Sequence, residues 1–385
     1  MSGLTIDDPI RFADVLISQR IIPGDTLLLA DGTYIGDWTV PVAISGTEAA
    51  PIIVKPQNPG KVIINGSLTI NGSWTHWYDL EIMDARTDRH LITNSITMNY
   101  EGTRLHGCLI HDLHSDGVNW FGSGVGEVSE CVLYNNGFRE SDESAHGHGI
   151  YTHNTNGGQR TIARNIFNDA IGDYAFQIYS GGDNYLRDYV VEDNIIPDDP
   201  VHTGGGLGLI NFLYQRNIQY GNYCQQGRYS GANANIDGTI KDNFFVGLSS
   251  YTVNQDTVPE WQNLVESGNE VYGGQPANRT GYTYYEQPAT KSWIVAFSKS
   301  ARWLGSVAIF NRDSADTVDV DFSSLLTNGN YLLRNGQNMT ETWAFTYSGN
   351  AVSVPMNMWT AAARIGDTAQ ALVFPIFGAF VIEAA

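Results

Sequence analysis

Residues 146–154 read HGHGIYTHN and hold three of the nine histidines, His146, His148 and His153. The others are His76, His90, His106, His111, His114 and His202, and none follows. Imidazole is the side chain that titrates near neutrality, so a cluster of it invites an acid–base reading. In a strand, alternate side chains face opposite ways. With Ile150 inward, Tyr151 and His153 face solvent. A phenol and an imidazole on one face can divide the work of a β-elimination. One removes the proton beside a carboxylate and the other protonates the leaving oxygen. Arg139, Arg160, Arg164 or a calcium ion would neutralise that carboxylate. Asp116, Asp142, Glu143, Asp169 and Asp173 offer a second chemistry, hydrolysis by a carboxyl pair whose separation decides inversion or retention.

The elements that must position these groups are written as a repeat. GCLIHD (107–112), ECVLYN (130–135), RNIFND (164–169), DNIIPD (193–198), RNIQYG (216–221), DNFFVG (242–247) and GNEVYG (268–273) share one pattern. Their second residues stand at 108, 131, 165, 194, 217, 243 and 269, intervals of 23, 34, 29, 23, 26 and 26. From the third copy onward that residue is asparagine: Asn165, Asn194, Asn217, Asn243 and Asn269. A coil of a parallel β-helix takes roughly twenty-odd residues, and coils stack about 4.8 Å apart. Asparagine tolerates the left-handed turn conformation and can hydrogen-bond along such a stack. The expected fold is therefore all-β, a parallel β-helix over 1–277. A capping helix over 8–20 (Asp8 as N-cap, Pro9, then apolar Ile10, Phe12, Ala13, Leu16 and Ile17) opens it. From 278 the repeat is lost, and 278–385 reads as a small C-terminal β-sandwich closing the other end.

Stacking then builds columns across coils. Asp116, His148 and Tyr174 form one, Asn119, Tyr151 and Gln177 a second, and Phe121, His153 and Tyr179 a third. The longest interval carries the loop 135–147 with Asp142, Glu143 and His146, and coil insertions often project from the binding face. The candidate catalytic groups are Tyr151, His153, His148 and Arg160. The candidate substrate-binding groups are Asn119, Trp120, Phe121, Gln177, Tyr179, Asp142, Glu143 and His146. Plainer readings stand beside these. His148 packs a turn, and Trp293 and Trp303 serve the core as readily as a sugar. His106, His111 and His114 lie beside Asp112 and Asp116 but do not by themselves fix a metal geometry.

Composition sets limits. Net charge is −20 with 41 acidic and 21 basic residues, which argues against nucleic acid as a partner. A polyanionic glycan is repelled at long range unless cations cluster locally. No apolar run reaches the length of a membrane span. The start, MSGLTIDD, lacks the charged and apolar regions of a signal peptide. The expected location is extracellular or virion-associated. Cys108, Cys131 and Cys224 are too few for a disulfide framework; Cys108 and Cys131, one coil apart, stand within disulfide range but read first as buried free thiols. Oligomeric state is not encoded in any of these features.

The opening coils, PGDTLLLADGTYIGDWTVPVAISGTEAAPIIVKPQNPGKVIING (23–66), and the phrase HGIYTHN resemble right-handed parallel β-helix (pectate-lyase-like) proteins. They look most like chondroitinase B, the related alginate lyases and phage tail β-helix proteins. The resemblance spans roughly 20–275. It implies a right-handed coil, a polysaccharide substrate, β-elimination at a uronic acid, and calcium as cofactor. The lyases of that family set a lysine and an arginine beside a calcium site of acidic residues and asparagine. Here Lys241 is the only lysine between 62 and 290, and it stands just before the turn residue Asn243, so those roles are not transferred. Two other functions remain open: a glycoside hydrolase on the same scaffold, and a non-catalytic glycan-binding or structural β-helix on a virion.

Overall fold

The computed structural model describes residues 10–18, 20–91, 94–122, 124–140, 144–172, 174–182, 184–227, 234–247, 251–253, 261–273, 280–285, 289–367 and 374–385. Among them, three parallel sheets wrap one core. Sheet I has ten strands, from Thr26–Leu29 to Val265–Ser267. Sheet II has eleven, from Gly32–Ile35 to Tyr282–Tyr285, and sheet III has nine, from Trp38–Val40 to Tyr251–Val253. The chain visits I, II and III in turn, and each strand pairs in parallel with its counterpart one coil on. The fold is the expected all-β parallel β-helix, and no described helix is long and apolar enough to cross a membrane.

Alternation drives the packing. Along sheet III the inward column runs Leu68, Ile96, Val118, Ile150, Phe176, Val201 and Cys224, each 0% exposed. Each such side chain contributes about 1.5–3 kcal/mol on burial. Cys108, Cys131 and Cys224 are buried free thiols.

The asparagines form the ladder that the repeat suggested, with one correction. Oδ1 of Asn194 accepts both the backbone N–H and the amide of Asn165, each at 3.0 Å. Asn217, Asn243 and Asn269 continue the same double bond coil by coil. The left-handed residue, however, is the one before each asparagine. Arg164, Asp193, Arg216, Asp242 and Gly268 have φ of 57°, 57°, 52°, 57° and 64°, and Glu130, before Cys131, has 58°. The left-handed residue turns the corner and sends its own side chain outward, while the next side chain, the asparagine, enters the stack.

The first coil is closed by the helix Phe12–Ile17. Phe12 and Leu16 join the core, with Phe12 edge-on to Tyr34 and Trp38. Asp8 and Pro9 lie outside the described residues. Ile17, expected on the apolar face, is 79% exposed.

The C-terminal module pairs a five-stranded antiparallel sheet, built on Gly305–Phe310 and Phe377–Ala384, with the two strands Thr317–Val320 and Val352–Pro355. It does not close the far end of the β-helix, as the sequence suggested. It lies along the side, because sheet II is apolar outside as well as inside. Leu109, Val132, Ile166, Ile195 and Ile218 pack on Ala308, Phe310, Phe377, Ala379 and Val381. Trp303, 1% exposed, belongs to this core. Sheet II itself continues past residue 277, since Tyr282–Tyr285 pairs with Asn269–Tyr272.

Left-handed corner residues tie the module down. Glu130 accepts the N–H groups of Ser298, Lys299 and Ser300 at 2.9, 2.8 and 2.7 Å. Asp79 accepts Ser300 Oγ and the Ala301 N–H. Asp112 holds Arg89 and the Ile365 N–H, and Asp169 pairs with Arg364. Sheet II is thus covered, and sheets I and III remain as faces for a ligand.

Candidate functional site

On sheet III the register places Asn119 beside Tyr151, Tyr151 beside Gln177, and Gln177 beside His202. Thr39, Thr69 and Thr97 begin the same outward column. His148 stands beside Tyr174. The rings connect into one band. Centroids lie 4.7 Å apart for His153–Phe121, 5.3 Å for Phe121–Tyr151, 5.5 Å for Tyr151–His148, 5.2 Å for His148–Tyr174 and 5.1 Å for Tyr174–His202. Tyr179, whose N–H donates to Thr152 O at 3.1 Å, follows in the same register and also approaches His202 at 5.9 Å. The amides are seated too: Gln177 Nε2 lies 2.9 Å from His202 Nδ1, and Asn119 Nδ2 donates to Ser95 Oγ at 2.8 Å. Ring faces edged by amides and imidazoles suit the apolar and hydroxyl faces of a sugar.

The electrostatics divide these groups into donors and acceptors. Burial dominates the shift of His148, pulled down to about 4. Burial, then the charge of Arg160, lowers His153. Burial, then Asp116 and Tyr179, raises Tyr151. Asp116 is 8% exposed and pushed by burial up to about 7, although its Oδ1 accepts the His148 N–H at 2.8 Å. Near neutrality the two imidazoles are uncharged and the phenol keeps its proton.

Two predicted site residues face the wrong way. Trp120 is 1% exposed and points inward, as its place two residues after inward Val118 requires. Arg160 is 0% exposed and lies beneath it, Cζ 4.7 Å from the indole centroid. Its Nη1 donates to Trp120 O and Thr152 Oγ1, both at 2.6 Å. Arg160 pairs in register with Gly126, where a Cβ would meet Trp120 Cζ2 at 2.4 Å. The glycine leaves the hole that indole and guanidinium fill. Arg160 therefore cannot neutralise a substrate carboxylate; it supports the strand end that carries His153.

His146 sits on a small hairpin, Phe138–Arg139 against Ala145–His146, stacked on Phe138 at 5.0 Å. It is near enough to His148 to oppose its protonation. Arg139 of the same hairpin faces Asp367 of the module at 3.5 Å. Asp142, Glu143 and Asp173 lie outside the described residues. His106, His111 and His114 diverge. His111 stacks on Tyr134 between Asp112 and Glu81, His114 meets Arg86 O, and His106 faces sheet I. Among the described residues no three His, Cys, Asp or Glu side chains converge as metal ligands.

A second cluster was not singled out in the sequence. On sheet I, Arg104 pairs with His76 and His106 with Tyr78. Tyr78 lies 4.8 Å from His106, whose Nδ1 is 2.8 Å from Ser129 Oγ. Glu127 stands between Arg104 at 3.6 Å and Arg164 at 3.7 Å. The alternation in THWY (75–78) and RLH (104–106) carries this signal once the coil offset between them is known.

Comparison with known proteins places the first coils. Residues 15–113 match the family model for chondroitinase B; the match ends before Asp116 and so includes none of the sheet III band. No curated protein matches the chain. A mannuronic-acid-specific family 6 polysaccharide lyase from human gut microbiota shares 15% identity over 71% of this chain and 88% of its own, with a TM-score of 0.34. A family 6 polysaccharide lyase from Pseudopedobacter saltans shares 12% over 72% and 91%, at 0.37. A lacto-N-biosidase from Eubacterium ramulus shares 13% over 74% and 64%, at 0.40. The protein is a parallel β-helix whose N-terminal coils, residues 15–113, are similar to chondroitinase B.

Proposed function

We propose that the protein is a polysaccharide lyase that cleaves a uronic-acid-containing glycan by β-elimination on the outward face of sheet III. The observation that carries this reading is the setting of Tyr151. It is a phenol held protonated, edge-on to His148 and Phe121, with neutral His153 stacked on the far side of Phe121. His153 takes the proton beside the sugar carboxylate. The electron pair left behind forms the ring double bond as the bond to the leaving oxygen breaks, and Tyr151 protonates that oxygen. Asn119 and Gln177, in register on either side of Tyr151, hold the carboxylate by hydrogen bonds. The chondroitinase B match of the first coils supports the same class. Such an enzyme meets its glycan outside a cell or on a virion.

The test is ultraviolet absorbance of the unsaturated product, screened on alginate, pectate, chondroitin, dermatan and heparin with and without calcium. Loss of signal in Tyr151→Phe and in His153→Ala is expected. A lyase signal that survives both variants removes the site from this face. No signal and no new reducing ends on any glycan sinks the enzyme reading and leaves a binding or structural β-helix.

One observation favours hydrolysis instead. Asp116, pushed up to about 7, is suited to donate a proton as a general acid. Its partner carboxylate would come from Asp142, Glu143 or Asp173. New reducing ends without ultraviolet absorbance would select this chemistry.

A further inference from the structure

A cleft of about 420 Å³ opens where the C-terminal module meets the corner between sheets I and II, lined by Gly60, Lys61, Arg302, Leu304, Arg334 and Glu383, among others. Three of these side chains are cations and one is a carboxylate. Glu383 is already engaged by Arg334, whose Nη1 donates to Met339 O at 2.7 Å. Neither Lys61 nor Arg302 forms an ion pair among the described residues, and Lys61 is exposed.

Arg302 is the unusual member. Its Nη1 is buried and meets no acceptor among the described residues. Its guanidinium lies over the Trp303 ring at 5.0 Å. It also meets Gly60, φ 72°, where a Cβ would stand 3.0 Å from the guanidinium carbon. The group thus touches both an indole and a glycine. Burial, then Arg334, lowers its pKa against the opposing pull of Glu383, Glu81 and Asp79, whereas Arg86 and Arg216, each hydrogen-bonded to carboxylates, are raised. A desolvated guanidinium nitrogen without an acceptor is costly to keep, and the planar fork of the group matches carboxylate and sulfate oxygens. In a chain of net charge −20, this cleft is a local concentration of positive charge.

We propose that this cleft is an oxyanion-binding site in which Arg302, Lys61 and Arg334 hold the carboxylate or sulfate of an acidic sugar. Its volume falls within the range of small-molecule pockets and accepts a sugar ring. That an oxyanion binds is independent of the lyase reading; that it arrives on a sugar rests on it. Tyr151 lies on sheet III, so the two sites are separable.

The experiment is calorimetric titration of the whole chain with sodium sulfate, glucuronate and glucose at matched ionic strength. Wild type is compared with Arg302→Met, Lys61→Ala and Tyr151→Phe, and each melting temperature is recorded without ligand. Saturable binding of sulfate and glucuronate, but not glucose, is expected. Arg302→Met weakens it by roughly tenfold or more, the scale of a lost charge-assisted pair. Lys61→Ala weakens it less, and Tyr151→Phe leaves it unchanged. A cooperative melt of unliganded Arg302→Met shows that lost binding is not lost folding. Glucuronate bound tighter than sulfate identifies a sugar-borne group; sulfate alone identifies a free oxyanion and drops the sugar. No saturable binding to wild type, or undiminished binding in both Arg302→Met and Lys61→Ala, overturns the site. Failure of the ultraviolet assay leaves this result untouched.

Discussion

The backbone N–H of His148 donates to Oδ1 of Asp116, one coil earlier, at 2.8 Å. This bond joins the turn that enters the His148–Thr152 strand to the turn before Val118–Trp120, and it does so through a carboxyl group whose pKa burial pushes up to about 7. The geometry of Tyr151, three residues further on, depends on that junction.

A pH dependence follows. The folded pKa of Asp116, about 7, lies above its unfolded value near 3.9. The folded state therefore binds the extra proton between these values, and stability falls as pH rises through that window. The full loss for this group is on the order of 4 kcal/mol. Asp116→Asn keeps an acceptor for the His148 N–H but cannot ionise. Urea melts from about pH 4 to pH 8 should show wild type losing stability relative to the variant as pH increases. Parallel curves would show that Asp116 does not titrate there.

Tyr151→Phe removes one half-buried hydroxyl and no core contact. Elimination should fall by about 10²–10⁴-fold, the usual worth of a positioned proton donor. The melting temperature should stay within a few degrees. A matching collapse in stability would mean that the hydroxyl is structural.

Arg160 is buried, meets no carboxylate among the described residues, and depresses His153. Arg160→Met keeps the bulk under Trp120 and removes the charge. The His153 pKa should move up, read by NMR titration of its ring protons, and substrate KM should not rise as it would on losing a carboxylate clamp. A large rise in KM would return Arg160 to the substrate.

Asn217 accepts from Asn194 and donates to Asn243 and to Val191 O. Asn217→Ala leaves several buried partners unmet, each costing about 1–3 kcal/mol. A loss of roughly 3 kcal/mol or more in chemical denaturation is expected. Asn217→Gln should not rescue it, because the longer amide misses the coil spacing.

Much of the scaffold was written in the chain. The phrases from GCLIHD to GNEVYG mark successive coils because each repeats, by alternation, an inward side chain, a corner and a ladder amide whose partner is the equivalent residue one coil away. The same local rule faced Tyr151 and His153 outward, and would have turned Trp120 inward had it been applied to that residue with equal strictness. Position beyond one coil followed different physics. Arg160 points inward because Gly126, more than thirty residues earlier, leaves a hole for it and Trp120. Asp116 is pushed to about 7 because the next coil removes water from it. Sheet II is not a ligand face because Ala308, Phe377 and Val381 cover its apolar exterior. Alternation fixes the side of a strand on which a residue stands; the burial, charge and partners of that side belong to whatever the folded chain packs against it.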